Sequence, residues 1–449
     1  MTAPPWPTDP LPELARLAAR RPMVVLDDDP TGTQTLRHVS VLTEWDAQRV
    51  ARHVDDAVLF LSTNSRALDA DAAAAITRDA ATAALAAGRA ISLVSRSDST
   101  LRGHFPVETT VVAGVMGRPD ARVLLAPYFG EGGRVTVDDV HYLDRGGGRT
   151  PVADTEFARD TTFGYRSSNL RDWVAEKHVA AKLPIPPIAS LSRELVRTGG
   201  PAGVAEMLGG LGPATVAIAN AEVDRDIEVI ALGALLAEER GVPMVARTAA
   251  SYVRARAGRP HAPPLRPDEL TTDGGAGIIV VGSHVPTTTG QLARLQASPI
   301  APRLDALELS VAGIVGAPTN AAGVTVRAAA HLDRAVGRGR IGLVSTERTV
   351  RTAGLAGGAR ISAVLVEAVA GMRNRPGWVV AKGGITSFEI AKTAMGIREG
   401  RVIGQLLPGV PVWAGGADAR WPGVPLVVFP GNIGEEDALV RAIEQLEGS

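Results

Sequence analysis

Short runs rich in Val, Ile and Leu alternate along this chain with Ala-rich stretches, and no other feature of the sequence restricts the fold as strongly. The runs are MVVLD (23–27), AVLFLS (57–62), AISLVS (90–95), RVLLA (122–126), TVAIAN (215–220), GIIVVGS (277–283), RIGLVST (340–346), WVVAKG (378–383) and PLVVFPG (425–431). Each is short and almost wholly apolar, the pattern of a strand covered on both faces in a parallel sheet. Helices are expected near 69–88, 224–240, 287–297, 360–374 and 386–396. Strands alternating with helices predict an α/β fold with mainly parallel sheets flanked by helices. The stretch ARAGRPHAPPLRPDELTTDGGAG (255–277) is dense in Pro and Gly without apolar periodicity and reads as a linker. The expected organisation is an N-terminal domain over 1–254, a linker over 255–276 and a C-terminal domain over 277–449. A further irregular region is expected from Gly146 to the neighbourhood of Pro187.

Composition then excludes several chemistries. The 449 residues include no cysteine, so disulfides, thiolate nucleophiles and cysteine-ligated metal clusters are ruled out. A formal net charge of -1 offers no global field for nucleic acid or anionic membrane. The opening MTAPPWPTDPLPEL has no basic segment followed by an apolar run, so no secretory signal is expected. Charges interrupt every apolar stretch, including the Ala-rich 71–90 segment, well before the ~20 residues a spanning helix needs. A cytoplasmic protein is expected, with small-molecule partners, no nucleic acid and no membrane; a homo-oligomer is compatible with all of this. Lysine occurs only at 177, 182, 382 and 392, so arginine must make most cationic contacts, and its planar fork suits carboxylates and phosphates.

Polar residues gather where the apolar runs end, which is where open α/β sheets hold ligands. After 23–27 come Asp27-Asp28-Asp29-Pro30-Thr31-Gly32. Three adjacent carboxylates repel one another unless solvated or neutralised; one could accept a hydroxyl proton and another hold Mg²⁺ or sugar hydroxyls. After 90–95 come Arg96-Ser97-Asp98-Ser99-Thr100-Leu101-Arg102-Gly103-His104, which mixes guanidinium, carboxylate and hydroxyl groups as a polyol acid requires. His104 itself reads as a structural hydrogen-bonder. After 122–126 come Pro127-Tyr128-Phe129-Gly130, Gly133 and Arg134. Singly, each loop is compatible with a solvated turn; three in one domain describe a polar, carboxylate-reading pocket.

The second half has no G-x-x-x-x-G-K-[ST] sequence and no G-x-G-x-x-G between a strand and a helix, so P-loop and standard Rossmann sites are excluded. It has glycine-hydroxyl turns instead, at Gly282-Ser283-His284, at Lys382-Gly383-Gly384-Ile385-Thr386 and at Gly431-Asn432-Ile433-Gly434. Such turns mostly cap helices, but three at sheet ends suggest a dispersed phosphate cradle. Lys382 could reach a phosphate or lie at the surface.

The order of these motifs resembles the four-carbon acid sugar kinase family over nearly the whole chain. The stretches Asp28-Asp29-Pro30-Thr31-Gly32, Asp98-Ser99-Thr100-Leu101-Arg102-Gly103, Gly133-Arg134, Thr155–Asp160, Gly282-Ser283, Gly383-Gly384-Ile385-Thr386 and Gly431-Asn432-Ile433-Gly434 carry it. The resemblance implies a two-domain kinase that uses ATP and Mg²⁺ to phosphorylate the terminal hydroxyl of threonate, erythronate or an oxo-tetronate in carbohydrate catabolism. It implies catalytic roles for Asp28 and Asp98, and acid-sugar contacts from Asp29, Thr31, Arg96, Ser99, Thr100, Arg102, Gly103 and Arg134. Nucleotide contacts would come from Ser283, Gly383, Gly384, Ile385, Thr386, Gly431 and Asn432. Arg102 and Arg134 are the expected carboxylate clamp, and no residue is assigned to the metal. Departures include Arg96 for a common Lys, His104 for Asn, and Phe429 for a Lys that often precedes the Gly-Asn turn. Two other readings compete: a metal-dependent lyase or aldolase on similar acids, and a degenerate sensor of sugar acid or nucleotide.

Overall fold

The strands at 23–27 and 92–96 lie side by side, so the two densest polar loops of the sequence leave the same end of one sheet. The structure is a computed structural model and describes residues 3–54, 56–144, 148–270, 275–315, 318–348 and 354–448. The chain divides into two compact units, one of Met1–Thr35 and Glu44–His261, the other of Leu36–Thr43 and Ala262–Ser449. The segment Leu36–Thr43 thus belongs to the second unit, although the sequence reading placed all of 1–254 in the first. Part of the expected linker is ordered as well. The helix Ala250–Arg256 enters it and a 3₁₀ turn forms at Pro267–Glu269, while residues 271–274 lie outside the described residues.

The first unit is built on parallel strands in the order Val58–Ser62, Met23–Asp27, Ser92–Arg96, Met244–Thr248, Arg122–Ala126, Val216–Ala219 and Ile188–Leu191. Every residue of Met23–Asp27, Val58–Ser62, Ser92–Arg96 and Met244–Thr248 is buried, which accounts for their unbroken apolar character. Among the flanking helices, Ala70–Ala86 begins at Asp69, whose carboxylate accepts from the Ala72 amide. The region from Gly146 to Pro187 is less irregular than expected. It contains the helix Leu170–Ala180, capped by the Asn169 side chain accepting from the Arg171 amide; residues 145–147 are outside the described set. A three-stranded antiparallel sheet, Arg134–Val137, Val140–Asp144 and Arg149–Pro151, stands apart from the main one.

In the second unit the parallel strands run in the order Leu304–Leu309, Ile341–Thr346, Ile278–Val281, Val379–Lys382 and Pro425–Phe429. Antiparallel strands Val410–Gly415, Glu399–Leu407 and Val39–Leu42 extend it. The architecture is therefore α/β with mainly parallel sheets flanked by helices, as the sequence predicts. The helix expected over 386–396 is a short α-helix, Gly384–Glu389, continued by a π-helical turn at Ile390–Ala394. Leu292, Ile341, Trp378, Phe429 and Leu439 belong to the core of this unit. Among the described residues, no helix is long and apolar enough to cross a membrane.

Candidate active site

The first cluster forms where Asp27, Ser62 and Arg96 end three neighbouring strands in register. Asp27 is fully buried; Arg96 Nη1 lies 3.2 Å from its Oδ1, while its Oδ2 has no hydrogen-bond partner among the described residues. Burial pushes the Asp27 carboxyl up to about 8, helped by the charges of Asp28 and Asp29 and opposed by Arg96. A Cβ on Gly32 would overlap the Asp27 carboxylate, so the turn can close over this strand end only with glycine there.

Asp28 is held differently. Arg66 Nη2 donates to its Oδ1 at 2.6 Å, Ser97 Oγ donates to its Oδ2 at 2.9 Å, and Arg96 Nη1 lies 3.6 Å away. Burial opposes its ionisation, but Arg66, Arg96 and Arg247 outweigh burial and hold the carboxyl below its ordinary range. Arg66 Nη1 also lies 3.5 Å from Asp29 and 4.0 Å from Asp98, so one guanidinium links three of the predicted carboxylates. Asp29 in turn accepts from the Thr31 amide at 2.9 Å and the Thr31 hydroxyl at 2.6 Å.

The 97–103 loop completes the cluster. Asp98 accepts from Arg102 Nε at 2.7 Å and from the Thr100 hydroxyl, and despite burial Arg102 and Arg66 hold it well below the carboxylate range. Arg102 also lies 3.7 Å from Asp160 and over the Phe157 ring at 5.1 Å, which brings the 155–160 segment to the site. Leu101 adopts φ 69° and Gly103 φ 115°. A Cβ on Gly103 would stand 2.7 Å from both Arg247 Nη2 and Ser97 Oγ, so backbone must pass here with no side chain. From outside the loop, Tyr165 Oη donates to the Thr100 carbonyl at 2.7 Å, and His141 Nε2 pairs with the Ser99 carbonyl at 2.8 Å. His141 is fully buried, and burial lowers it to about 4, so it acts as a neutral strut. His104 Nε2 meets the carbonyls of Ser65 and Leu68 at 3.1 and 3.0 Å, the structural role its sequence suggested.

Asp28, Asp29, Thr31, Arg96, Asp98, Thr100, Arg102 and Gly103 are thus drawn into one network, with the Ser99 carbonyl braced behind it. Arg134 is buried too, but its Nη1 donates to the Gly132 carbonyl and its guanidinium lies 6.0 Å from the Phe129 ring centre. Sequence reasoning passed over Arg66 and Arg247. Arg247 donates to Ser95 Oγ at 2.7 Å and pairs with Glu108, which is itself buried. The signal was available, since Arg247 ends a strand and Arg66 closes the polar run Ser62-Thr63-Asn64-Ser65-Arg66 after another.

In the second unit the three turns converge. The amides of Gly282 and Ser283 donate to the Lys382 carbonyl at 3.0 Å, and the Gly383 amide to the Phe429 carbonyl at 2.8 Å. Thr288 Oγ1 donates to Ser283 Oγ at 3.1 Å and to the Gly431 carbonyl at 2.8 Å. A Cβ on Gly431 would stand 2.5 Å from Ser283 Oγ, and one on Gly282 would overlap Thr386 Oγ1. Ser283, Gly383 and Gly431 therefore share one surface, and Thr386 adjoins it. Gly384 and Ile385 open the following helix, with the Ile385 side chain 49% exposed, and Asn432 follows directly on Gly431. Arg348 Nη2 donates to the Ser283 carbonyl at 2.6 Å, whereas Arg348 Nη1 and His284 Nδ1 are buried with no partner among the described residues. Unpaired buried donors of this kind suit an anionic group. Lys382 is neither at the surface nor extended outward. It is fully buried, donates to the Pro430 carbonyl at 2.6 Å and lies 3.7 Å from the Phe429 ring centre.

Comparison with known proteins agrees with this division of chemistry. Residues 23–256 match the family model of a sugar-binding N-terminal domain, and residues 278–439 that of a nucleotide-binding C-terminal domain. The chain is 29% identical over 406 residues to the D-threonate kinase of Bordetella bronchiseptica, covering 87% of this chain and 86% of that one. Among solved structures it resembles a Salmonella typhimurium LT2 protein described as a candidate tRNA synthase, with TM-score 0.67 and 16% identity over 94% of this chain and 98% of that one. It also resembles the Haemophilus influenzae protein HI1011, with TM-score 0.63 and 16% identity over 94% of this chain and 100% of that one. At such identity the two structures establish the fold alone. With both domain models matched in order across most of its length, the chain belongs to the four-carbon acid sugar kinase family.

Proposed function

We propose that the protein is a kinase of sugar acids which transfers the γ-phosphoryl group of ATP to the terminal hydroxyl of a four-carbon acid of the threonate, erythronate or oxo-tetronate type. As a cytoplasmic enzyme it would serve carbohydrate catabolism. The observation that carries this reading is the half-buried to buried network of Asp28, Asp98, Arg66, Arg96, Arg102 and Ser97 at the carboxyl ends of parallel strands. It presents fixed donors and acceptors of both signs to one small polar molecule, and the matched sugar-binding domain spans all of it.

Phosphoryl transfer asks little covalent work of a protein; it needs positioning and charge stabilisation. Asp28 and Asp98 are both held ionised and below the usual carboxylate range, so early in the reaction they are acceptors that orient the sugar hydroxyl. The hydroxyl proton can then pass to Asp28 or Asp98 late, once bond formation to phosphorus has acidified it. Arg96 and Arg66 keep these carboxylates charged and fixed, so little reorganisation accompanies the transfer.

The turns around Ser283, Gly383–Thr386 and Gly431–Asn432 would bind the nucleotide. Small residues allow close approach of phosphate, and Arg348 and His284 each bring a buried unpaired nitrogen. Val285 and Ile385, exposed by 39% and 49%, offer apolar surface to a base. Mg²⁺ would neutralise the β- and γ-phosphates when bound; an ion held chiefly by phosphate and water needs only one or two protein carboxylates.

Release of ADP from Mg²⁺-ATP against a panel of threonates, erythronates and their 2- and 3-oxo forms tests the reading. Turnover with one of the acids is expected. Clear binding of an acid with no turnover, alongside cleavage of the acid itself, would favour a lyase instead.

A further inference from the structure

A small pocket opens at the carboxyl ends of the strands Ser92–Arg96, Arg122–Ala126 and Met244–Thr248, beside the Asp98–Arg102 pair. Arg102, Arg247, Thr248 and Trp173 line it together with Leu125 and Pro127. Two of these residues carry an unmet hydrogen bond. Thr248 Oγ1 and Trp173 Nε1 are both buried with no partner among the described residues, in residues 3% and 2% exposed. A buried donor without a partner costs about 1–3 kcal/mol, so native proteins keep such groups where something completes them. The indole N–H can only donate, so its missing partner must be an acceptor. The guanidinium groups of Arg102 and Arg247 are matched by Asp98, Asp160 and Glu108, so what the lining leaves open is the pair of neutral donors.

We infer that this pocket is the subsite for the carboxylate of the sugar acid, read by Thr248 and Trp173 together with Arg102 and Arg247. This deepens the proposed function and rests on it. A carboxylate oxygen is the acceptor that Thr248 and Trp173 lack, with the guanidinium groups of Arg102 and Arg247 in the same lining. Leu125 and Pro127 limit access of water, so the charge-assisted bonds are made at low dielectric. Arg134, the second half of the clamp expected from sequence, is committed to its own glycine turn and to Phe129. Arg247 takes its place. Its side chain is anchored by Glu108 and Ser95 and passes beside Gly103, which has no side chain to obstruct it. Placing the carboxylate here sets the polarity of the bound substrate: the acid end lies in the pocket and the terminal hydroxyl at the other end of the chain.

The test is a comparison of each four-carbon acid with the alditol of the same stereochemistry, which keeps the hydroxyls and lacks the carboxylate. In the unsubstituted enzyme, kcat/KM should favour the acid. Thr248→Val removes one donor and keeps shape; Trp173→Phe removes one donor with some loss of volume and retains the stack on Phe105, whose ring centre lies 4.9 Å away. Each should raise KM for the acid about tenfold and narrow the acid-to-alditol ratio by a similar factor, as expected for loss of one bond to a charged group. The KM for ATP should hold, as an internal control. If both folded variants keep the acid-to-alditol ratio of the parent while the parent phosphorylates an acid, the subsite assignment is overturned and the kinase reading stands. If the parent neither binds nor phosphorylates any four-carbon acid, the kinase reading falls and the subsite falls with it.

Discussion

Lys382 shows how a single residue can mislead sequence reasoning and then become informative. Its place before two glycines, at the end of a strand, suggested a phosphate contact. The structure buries it completely, on the face of Phe429 and against the Pro430 carbonyl. Burial drives the ammonium down to about 6, while the ring face and the carbonyl favour the charged form. A lysine whose folded pKa lies below its unfolded value binds fewer protons when folded. Its contribution to stability is complete above the unfolded value near 10.5 and is lost as pH falls toward 6. Lys382→Met fills similar volume without the charge. It should stabilise the second unit at pH 7 by on the order of 1–3 kcal/mol and flatten the rise in stability between pH 6 and 10. Chemical denaturation across that range measures the slope; an unchanged slope in the variant means the lysine is charged in the folded protein at neutral pH. Arg66 misled in the opposite way. It closes the polar run over 62–66, which holds no carboxylate and no glycine and was passed over, yet it links Asp28, Asp29 and Asp98. Strand pairing, which sequence periodicity does not reveal, brings it there.

At the scale of elements, the parallel strands were legible because full burial leaves no polar face to confuse the pattern. Met23–Asp27 and Arg122–Ala126 coincide with their apolar runs residue for residue. Strands with mixed burial were not legible. Leu304–Leu309 is buried only at its two ends, and Val140–Asp144 carries His and Asp within it. That second omission matters for the site, because Val140–Asp144 delivers His141 to the Ser99 carbonyl while Tyr165 reaches the Thr100 carbonyl. The loop between Arg96 and Gly103 includes a leucine at positive φ, a conformation that local sequence does not favour. Outside bracing holds it. Tyr165→Phe removes one brace without leaving a cavity, and should lower kcat/KM for the acid about tenfold through looser placement of Asp98 and Arg102. The KM for ATP should stay near that of the parent. Steady-state kinetics on both substrates separates this from a general loss of fold, which would lower activity without sparing one substrate.

For the molecule as a whole, the contrast in polar chemistry between the units was legible in the order of motifs, while membership of the units was not. Carboxylates and guanidinium groups dominate the strand ends of one unit, and glycine and hydroxyl groups those of the other. The segment Leu36–Thr43 belongs with residues more than 200 positions away because Val39–Leu42 pairs antiparallel with Glu399–Leu407, and its apolar run is too short to announce a partner. If each unit owns one ligand, each ligand should stabilise mainly its own unit. A ligand that binds only the folded state adds about 2.7 kcal/mol at a hundred times its Kd. In scanning calorimetry with hydrogen exchange read out by segment, the sugar acid should raise protection in the strands Met23–Asp27, Ser92–Arg96 and Met244–Thr248. ATP should do so in Ile278–Val281, Val379–Lys382 and Pro425–Phe429. Crossed protection, with ATP acting first on the strands around Asp28, would overturn the assignment of nucleotide to the second unit.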